Sequence, residues 1–126
     1  MSAAPPNKRQ RAEARGRTAE RLAALLLMLK GYRILARRAR TAVGEIDLIA
    51  RRGDTLAFIE VKARHDRTSA LDSLSPRQRQ RIARAAGAFV RARPDLVDLN
   101  WRFDLITAAG SWRLHHMKDA WRPGLD

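Results

Sequence analysis

The sequence predicts an α/β fold in which helices flank a mixed central sheet, with the elements in the order αβββαββ. Residues 17–30 are apolar nearly all round, which is typical of a well-buried helix. Residues 45–52 and 55–64 have the composition of strands, and the Gly-Asp pair between them favours a type II′ hairpin turn because glycine stands first. Apolar and polar residues alternate over 100–108, which predicts a strand after the second helix.

Shorter signals predict the remaining elements. Residues 32–38 predict the first strand, and Gly31 before them fits the end of the first helix. Ser75 followed by proline predicts the start of the second helix, because serine caps a helix and proline is tolerated at its first position. This helix is expected to end at Pro94, and residues 111–117 predict the last strand.

Length and composition predict one domain over residues 13–120, preceded by a disordered basic arm, residues 1–12, and followed by a short tail, residues 121–126. The chain has no cysteine, which excludes disulfides, thiol catalysis and cysteine-type zinc sites. Its longest apolar run, residues 22–29, is far shorter than the roughly 20 residues that span a bilayer. The N-terminus has no apolar signal-peptide segment. We therefore expect a cytoplasmic protein with no membrane partner.

The net charge of +13 is large for a chain of 126 residues. Such an excess attracts polyanions, and nucleic acid is the commonest of them. We therefore expect a nucleic-acid partner, with DNA as the first candidate. The side chains expected to contact phosphates follow the second acidic strand or lie on the second helix, and they are Arg64, Arg77, Arg79, Arg81 and Arg84.

The hairpin register places four charged residues on one side of the sheet. In the register that this turn sets, Asp47 falls opposite Glu60, and Glu45 falls opposite Lys62. Like charges directly opposite each other destabilise a sheet, so a bound divalent cation is the expected reason for the acidic pair. The other side of the hairpin is predicted to be wholly apolar, with the pairs Ile46–Val61, Leu48–Ile59 and Ala50–Ala57.

These residue types suit phosphodiester hydrolysis. The carboxylates of Asp47 and Glu60 are hard oxygen ligands that suit Mg²⁺ or Mn²⁺, and the backbone carbonyl of Val61 is a candidate third ligand. Lys62 lies two residues from Glu60, so both side chains leave the same face of the strand. Its side chain is expected to align a water, to deprotonate it as the neutral amine, or to neutralise charge in the transition state as the ammonium. Glu45 is expected to form an ion pair with Lys62.

The same residues carry a resemblance to a known family. Asp47, with Glu60-Val61-Lys62 on the next strand, resembles the PD-(D/E)XK nuclease signature. Together with its surroundings, the chain resembles the YraN-like family of small bacterial proteins, which is similar to archaeal Holliday junction resolvases. The resemblance covers about residues 12–120. The motifs that carry it are Gly16, Ala19-Glu20, Gly31-Tyr32, residues 44–49, residues 58–64 and residues 102–105.

The resemblance implies a restriction-endonuclease-like core and assigns roles to five residues. It implies that Asp47 and Glu60 bind the metal and that Lys62 is the catalytic lysine. It further implies that Glu20, on the first helix, assists the metal site. Gln78, near the start of the second helix, matches a position that often carries a catalytic lysine or glutamine in such nucleases.

Structural alternatives remain open for three of the polar residues. Glu20 could instead form an ion pair with a nearby arginine. Gln78 stands three residues after Ser75, so together they could form a capping box at the start of the helix. For Asp104 we favour a structural role, in which it orients Arg102 or braces the sheet.

The function expected from the sequence is a Mg²⁺- or Mn²⁺-dependent endonuclease acting on DNA, with branched and single-stranded DNA as candidate substrates. The first alternative is a protein that keeps the fold and binds nucleic acid without cleaving it. A second alternative is a basic structural partner of nucleoprotein, such as a ribosome-associated factor. A homodimer would fit the paired cuts that junction resolution needs.

Overall fold

The structure, a computed structural model, describes residues 4–63, 72, 74–109 and 113–123. Within these residues the elements follow the predicted order of helix, three strands, helix and two strands, with a short 3-10 turn before the fourth strand. The bounds are α1 (Lys8–Leu29), β1 (Arg33–Thr41), β2 (Gly44–Arg52), β3 (Thr55–Lys62), α2 (Pro76–Arg91), the 3-10 turn Pro94–Leu96, β4 (Asn100–Ala109) and β5 (Arg113–Trp121).

The described strands form one mixed sheet in the order β1-β2-β3-β4-β5. Strands β3 and β4 are parallel, whereas the other neighbouring pairs are antiparallel. Helices cover both faces, because α1 packs with one set of sheet residues and α2 packs with the other. The run 56–59 in β3 is therefore fully buried and wholly apolar, as expected for a central strand covered on both sides. The predicted α/β class and mixed sheet are confirmed.

The hairpin of β2 and β3 has the predicted register. Leu48 pairs with Ile59 and Ala50 pairs with Ala57. Gly53 begins the turn with φ of +58°, a left-handed conformation that glycine adopts without a steric penalty. The alternation of apolar residues and the glycine turn are sufficient to predict this register, because a slip of one residue would move the apolar set to the opposite face of the sheet.

The apolar side of the hairpin ends one pair earlier than predicted. The ladder between β2 and β3 begins at Leu48 and Ile59, and the predicted pair Ile46–Val61 lies beyond it. Ile46 instead packs in the cluster on the α2 side, with Ile49 and Phe58. The prediction for Ile46 is therefore wrong, because β2 departs from regular alternation between Ile46 and Leu48.

Described residues near both ends of the chain belong to a helix or a strand where the sequence predicts a disordered arm or a tail. Helix α1 begins at Lys8, so the prediction of a disordered arm is wrong for residues 8–12. A local cap explains the early start: the Asn7 side chain accepts from the Gln10 N–H at 2.8 Å, and the Gln10 side chain accepts from the Asn7 N–H at 2.9 Å. At the other end, Trp121 was assigned to the tail, but it ends β5 and is only 2% exposed.

The described part of the chain contains no helix that is both long and apolar enough to cross a membrane. The predicted loop after β3 and the predicted turn at Gly110 lie largely outside the described residues.

Candidate active site

Strands β2 and β3 separate where the predicted acidic pair lies. Beyond the last ladder pair, Leu48 and Ile59, the Asp47 side chain takes over the contact between the strands. Its Oδ2 accepts a hydrogen bond from the backbone N–H of Val61 at 2.8 Å. A carboxylate thus occupies the place of a backbone carbonyl, and this bond fixes Asp47 beside Glu60.

Glu60 is a buried carboxyl group, 8% exposed, at the carboxyl-terminal part of β3. Burial raises its pKa to about 9, and the neighbouring Asp47 carboxylate and a hydrogen bond to it act in the same direction. The Lys62 ammonium lowers this pKa, but by less. Without a cation, the acidic pair therefore keeps a proton at neutral pH.

One oxygen of this pair has no hydrogen-bond partner among the described residues. Glu60 Oε2 is buried and unpaired, which is unusual for a buried polar atom in a folded protein. An unpaired oxygen beside a second carboxylate is the donor set that Mg²⁺ or Mn²⁺ prefers. Asp47 and Glu60 therefore fit a divalent cation, which would displace the proton of Glu60 and supply the missing partner.

The structure brings the predicted lysine to the same place. Lys62 lies two residues after Glu60 in β3, so the two side chains share a face, and its charge acts on the Glu60 carboxyl group. The expected ion pair between Glu45 and Lys62 is wrong, because Glu45 pairs with Arg40 of β1 at 3.3 Å. The role of Lys62 beside the acidic pair stays a prediction.

Glu20 does not join the two acids as a third ligand. Its carboxylate forms an ion pair with Arg38 at 2.8 Å, which is the structural alternative considered for it. Within the described residues, no group of three or more histidine, cysteine or acidic side chains comes together in a way that could hold a metal ion. The assignment of Glu20 as a metal ligand is corrected accordingly. The cleft beside this ion pair, about 250 Å³, is lined by Arg17, Glu20, Arg21, Arg37, Arg38 and Leu48.

Arg38 is the residue of this region that the sequence did not reveal. It lies opposite Asp47, between the ladder pairs Arg37–Leu48 and Ala39–Ile46, and its backbone is left-handed with φ of +49°. The hydrogen bond to Glu20 raises the pKa of Arg38, and the charge of Asp47 adds to this effect. Only the register of β1 against β2 could have revealed it, and an arginine-rich strand does not determine that register.

Gln78 lies in the first turn of α2, where the structure shows the capping alternative in part. Its backbone N–H donates to the Ser75 hydroxyl at 3.2 Å. A catalytic role for its half-buried side chain stays a prediction.

The arginines assigned to phosphate binding fall into three groups. Arg77, Arg81 and Arg84 are exposed on α2, whereas the Arg79 guanidinium donates to the carbonyl of Leu74 at 3.0 Å. Arg64 lies outside the described residues. The Arg81 side chain packs so closely on Gly44 that a Cβ there would come within 2.9 Å of its Cγ. This contact places the first turns of α2 beside the start of β2, at the end of the sheet that carries Asp47.

Asp104 is fully buried in β4, pairs in register with Ile59 and holds a separate charged cluster. Two 2.8 Å hydrogen bonds join it to Arg102, and a third of the same length joins it to His116 of β5. Burial would raise its pKa, but the bonds from His116 and Arg102 lower the pKa overall. The expected structural role, in which Asp104 orients Arg102 and braces the sheet, agrees with this geometry.

Similarity to other proteins identifies the family. Residues 19–108 match the model of an uncharacterised protein family, UPF0102. The chain belongs to UPF0102. It is 52% identical over 128 residues to the UPF0102 protein amb4503 of Paramagnetospirillum magneticum, which covers 97% of this chain and 98% of that one. It is also 56% identical over 117 residues to the UPF0102 protein Mmar10_3014 of Maricaulis maris, covering 92% and 91% of the two chains.

UPF0102 is the YraN-like family, so the family predicted from the motifs is confirmed. The region matched to UPF0102 begins at residue 19 and contains Asp47, Glu60 and Lys62. The first eleven residues of α1, residues 8–18, precede it. The candidate site therefore lies within the region that the family model matches, whereas the start of α1 lies outside it.

Proposed function

We propose that this UPF0102 protein is a Mg²⁺- or Mn²⁺-dependent endonuclease that hydrolyses phosphodiester bonds in DNA. The observation that carries the proposal is the pair of neighbouring carboxyl groups, buried Glu60 and half-buried Asp47, with the Glu60 Oε2 atom unpaired among the described residues. Burying a carboxyl group beside a second acid is costly, and a divalent cation is the simplest compensation.

Each residue of the site has a distinct role in this proposal. Asp47 and Glu60 hold the cation, and Asp47 stays in place because Val61 donates a backbone hydrogen bond to it. The cation, when bound, would polarise the phosphoryl oxygen and lower the pKa of an attacking water. Lys62 lies on the same face and supplies a positive charge beside that water or the phosphate. The ion pair of Glu20 with Arg38 joins α1 to the β1 residue that lies opposite Asp47.

The surface around the site favours a polyanionic substrate. The net charge of the chain is +13, and exposed arginines of α2 lie beside the start of β2. Arg81 packs on Gly44, three residues before Asp47, so a phosphate backbone bound along α2 would pass the acidic pair. Arginine suits this contact because its planar guanidinium binds two phosphate oxygens at once.

The test is cleavage of labelled linear, single-stranded, flap and four-way DNA with Mg²⁺ or Mn²⁺. Wild type, Asp47→Asn and the control Glu45→Gln are purified in parallel. Glu45 lies two residues from Asp47 but pairs with Arg40 outside the acidic pair. We expect cleavage by wild type and Glu45→Gln and none by Asp47→Asn.

Two other outcomes would reject the proposal. Equal cleavage by all three proteins would indicate a contaminating nuclease or a different site. Salt-sensitive DNA binding without cleavage by any of them would favour the non-cleaving nucleic-acid-binding protein.

A further inference from the structure

The first two turns of α1 extend away from the body of the protein. Every residue of Lys8–Arg15, here named the α1 extension, is exposed, and the first buried residue of the helix is Ala19. An isolated helix as short as the extension is marginal in water, and helices in proteins usually gain their stability by packing one face on a core. All residues of the extension are exposed, so most of its surface is available to a partner.

The extension projects past the end of the sheet that carries the candidate site. At that end, Glu20 of α1 pairs with Arg38, which lies opposite Asp47. At the far end, the carbonyl of Lys30, just after α1, accepts a hydrogen bond at 3.2 Å from Arg52, the last residue of β2. The helix therefore runs from the site to the opposite end of the sheet. At 1.5 Å per residue, its start lies roughly 18 Å beyond Glu20.

The extension is strongly basic on several sides. It carries Lys8, Arg9, Arg11 and Arg15 against one acid, Glu13, which gives four positive charges, one negative charge and a net charge of +3. Glu13 pairs with Arg9 at 3.3 Å. At 100° per residue, Arg11 and Arg15 lie on one side of the helix and Arg9 lies on another. Basic side chains on both sides of the helix would therefore contact a concave polyanion that surrounds it.

We propose that the α1 extension lies in the major groove of B-form duplex DNA, adjacent to the bond that is cut. This inference rests on the proposed function in taking DNA as the substrate of the site. The major groove of B-form DNA is about 12 Å wide and admits an α-helix. The major groove of double-stranded RNA is too narrow and deep for side chains to enter, and a single strand offers no groove.

The reach of the helix sets the position of the duplex. Roughly 18 Å corresponds to about five base pairs at 3.4 Å per step. The extension therefore contacts the duplex within about five base pairs of the phosphate held at Asp47 and Glu60. Gly16 lies between the extension and the buried part of α1, and a Cβ at this position would meet no atom within 4 Å.

The test measures binding rather than cleavage, in EDTA, so that its outcome is independent of the proposed nuclease activity. The probes are a fluorescent DNA duplex, the RNA duplex of the same sequence and one DNA strand, each titrated at several salt concentrations. The extension variant is Arg11→Gln with Arg15→Gln. The control is Arg33→Gln with Lys118→Gln, which removes the same charge from exposed positions at the start of β1 and in β5.

For the DNA duplex, the extension variant is expected to make the plot of log affinity against log salt shallower by about 2, because two phosphate contacts are lost. The control is expected to leave this slope unchanged. The RNA duplex and the single strand are expected to bind more weakly than the DNA duplex, and their affinities are expected to change equally little in the two variants. Equal loss in both variants would overturn the proposal, as would equal dependence of RNA or single-stranded binding on the extension. Circular dichroism of each variant would verify that it is folded.

Discussion

The Asp47 carboxylate accepts a hydrogen bond from the backbone N–H of Val61, the residue that separates Glu60 from Lys62. The bond joins two strands at the point where their ladder has ended. It also brings a negative charge beside a carboxyl group that is already buried. The same contact therefore continues the sheet and creates the electrostatic cost that a cation would relieve.

Stability in EDTA should fall as pH rises from about 5 to about 9, and Glu60→Gln should weaken this dependence. Folded Glu60 keeps its proton up to a pKa of about 9, whereas an unfolded glutamate releases it near 4.3. Between these values the folded state binds more protons than the unfolded state, so rising pH favours unfolding. Thermal melting at a series of pH values measures the effect. An identical pH profile in both proteins would show that Glu60 is not the responsible group.

Mn²⁺ should stabilise the wild-type protein against unfolding but should not stabilise Asp47→Asn. A ligand that binds only the folded state at about 100 times its Kd contributes about 2.7 kcal/mol. Asparagine keeps an oxygen that can accept from Val61, so the variant removes charge with little change in shape. Differential scanning fluorimetry with and without Mn²⁺ measures the shift, and Glu45→Gln is the matched control. An equal shift in Asp47→Asn would place the cation elsewhere.

Lys62→Ala should separate metal binding from cleavage. Lys62 contributes charge beside the acidic pair, but ammonium is not a metal ligand, so the thermal shift with Mn²⁺ should persist. Cleavage should fall at least ~100-fold, the scale of losing one preorganised electrostatic contact in an active site. Single-turnover kinetics on the preferred DNA substrate measure this loss. Unchanged cleavage would remove Lys62 from the mechanism.

Asp104→Asn should destabilise the fold by about 3–5 kcal/mol, because it leaves a largely buried Arg102 without its carboxylate partner. His116 loses the same partner. Urea denaturation gives the free energy of unfolding. Asp95→Asn is the control, since Asp95 also pairs with an arginine but is exposed, and it should have little effect. Similar losses in the two variants would mean that the buried cluster is not the brace described above.

Local patterns in the sequence predicted much of the sheet, and contacts between distant strands explain what they missed. The pair Leu48–Ile59 followed from alternation and from a glycine turn, both of which act over a few residues. The partner of Glu20 could not be found this way, because Arg38 reaches it from a strand whose register depends on the rest of the sheet. The early start of α1 was a different case. Its capping residues, Asn7 and Gln10, are visible in the sequence, but the proline-containing basic composition favoured disorder.

In the parallel pair of β3 and β4, candidate catalytic residues lie on β3, and the buried charged cluster that stabilises the fold is centred on β4. Glu60 and Lys62 belong to β3, whereas Asp104 belongs to β4 and lies beside Ile59, one step earlier along the sheet. A library of random variants selected for cellular abundance should thus be depleted at Asp104 and Arg102, while Glu60 tolerates neutral replacement. The same library selected for nuclease activity should be depleted at Glu60 as well. Comparing the two depletion maps would distinguish the site from its scaffold without any prior choice of mutants.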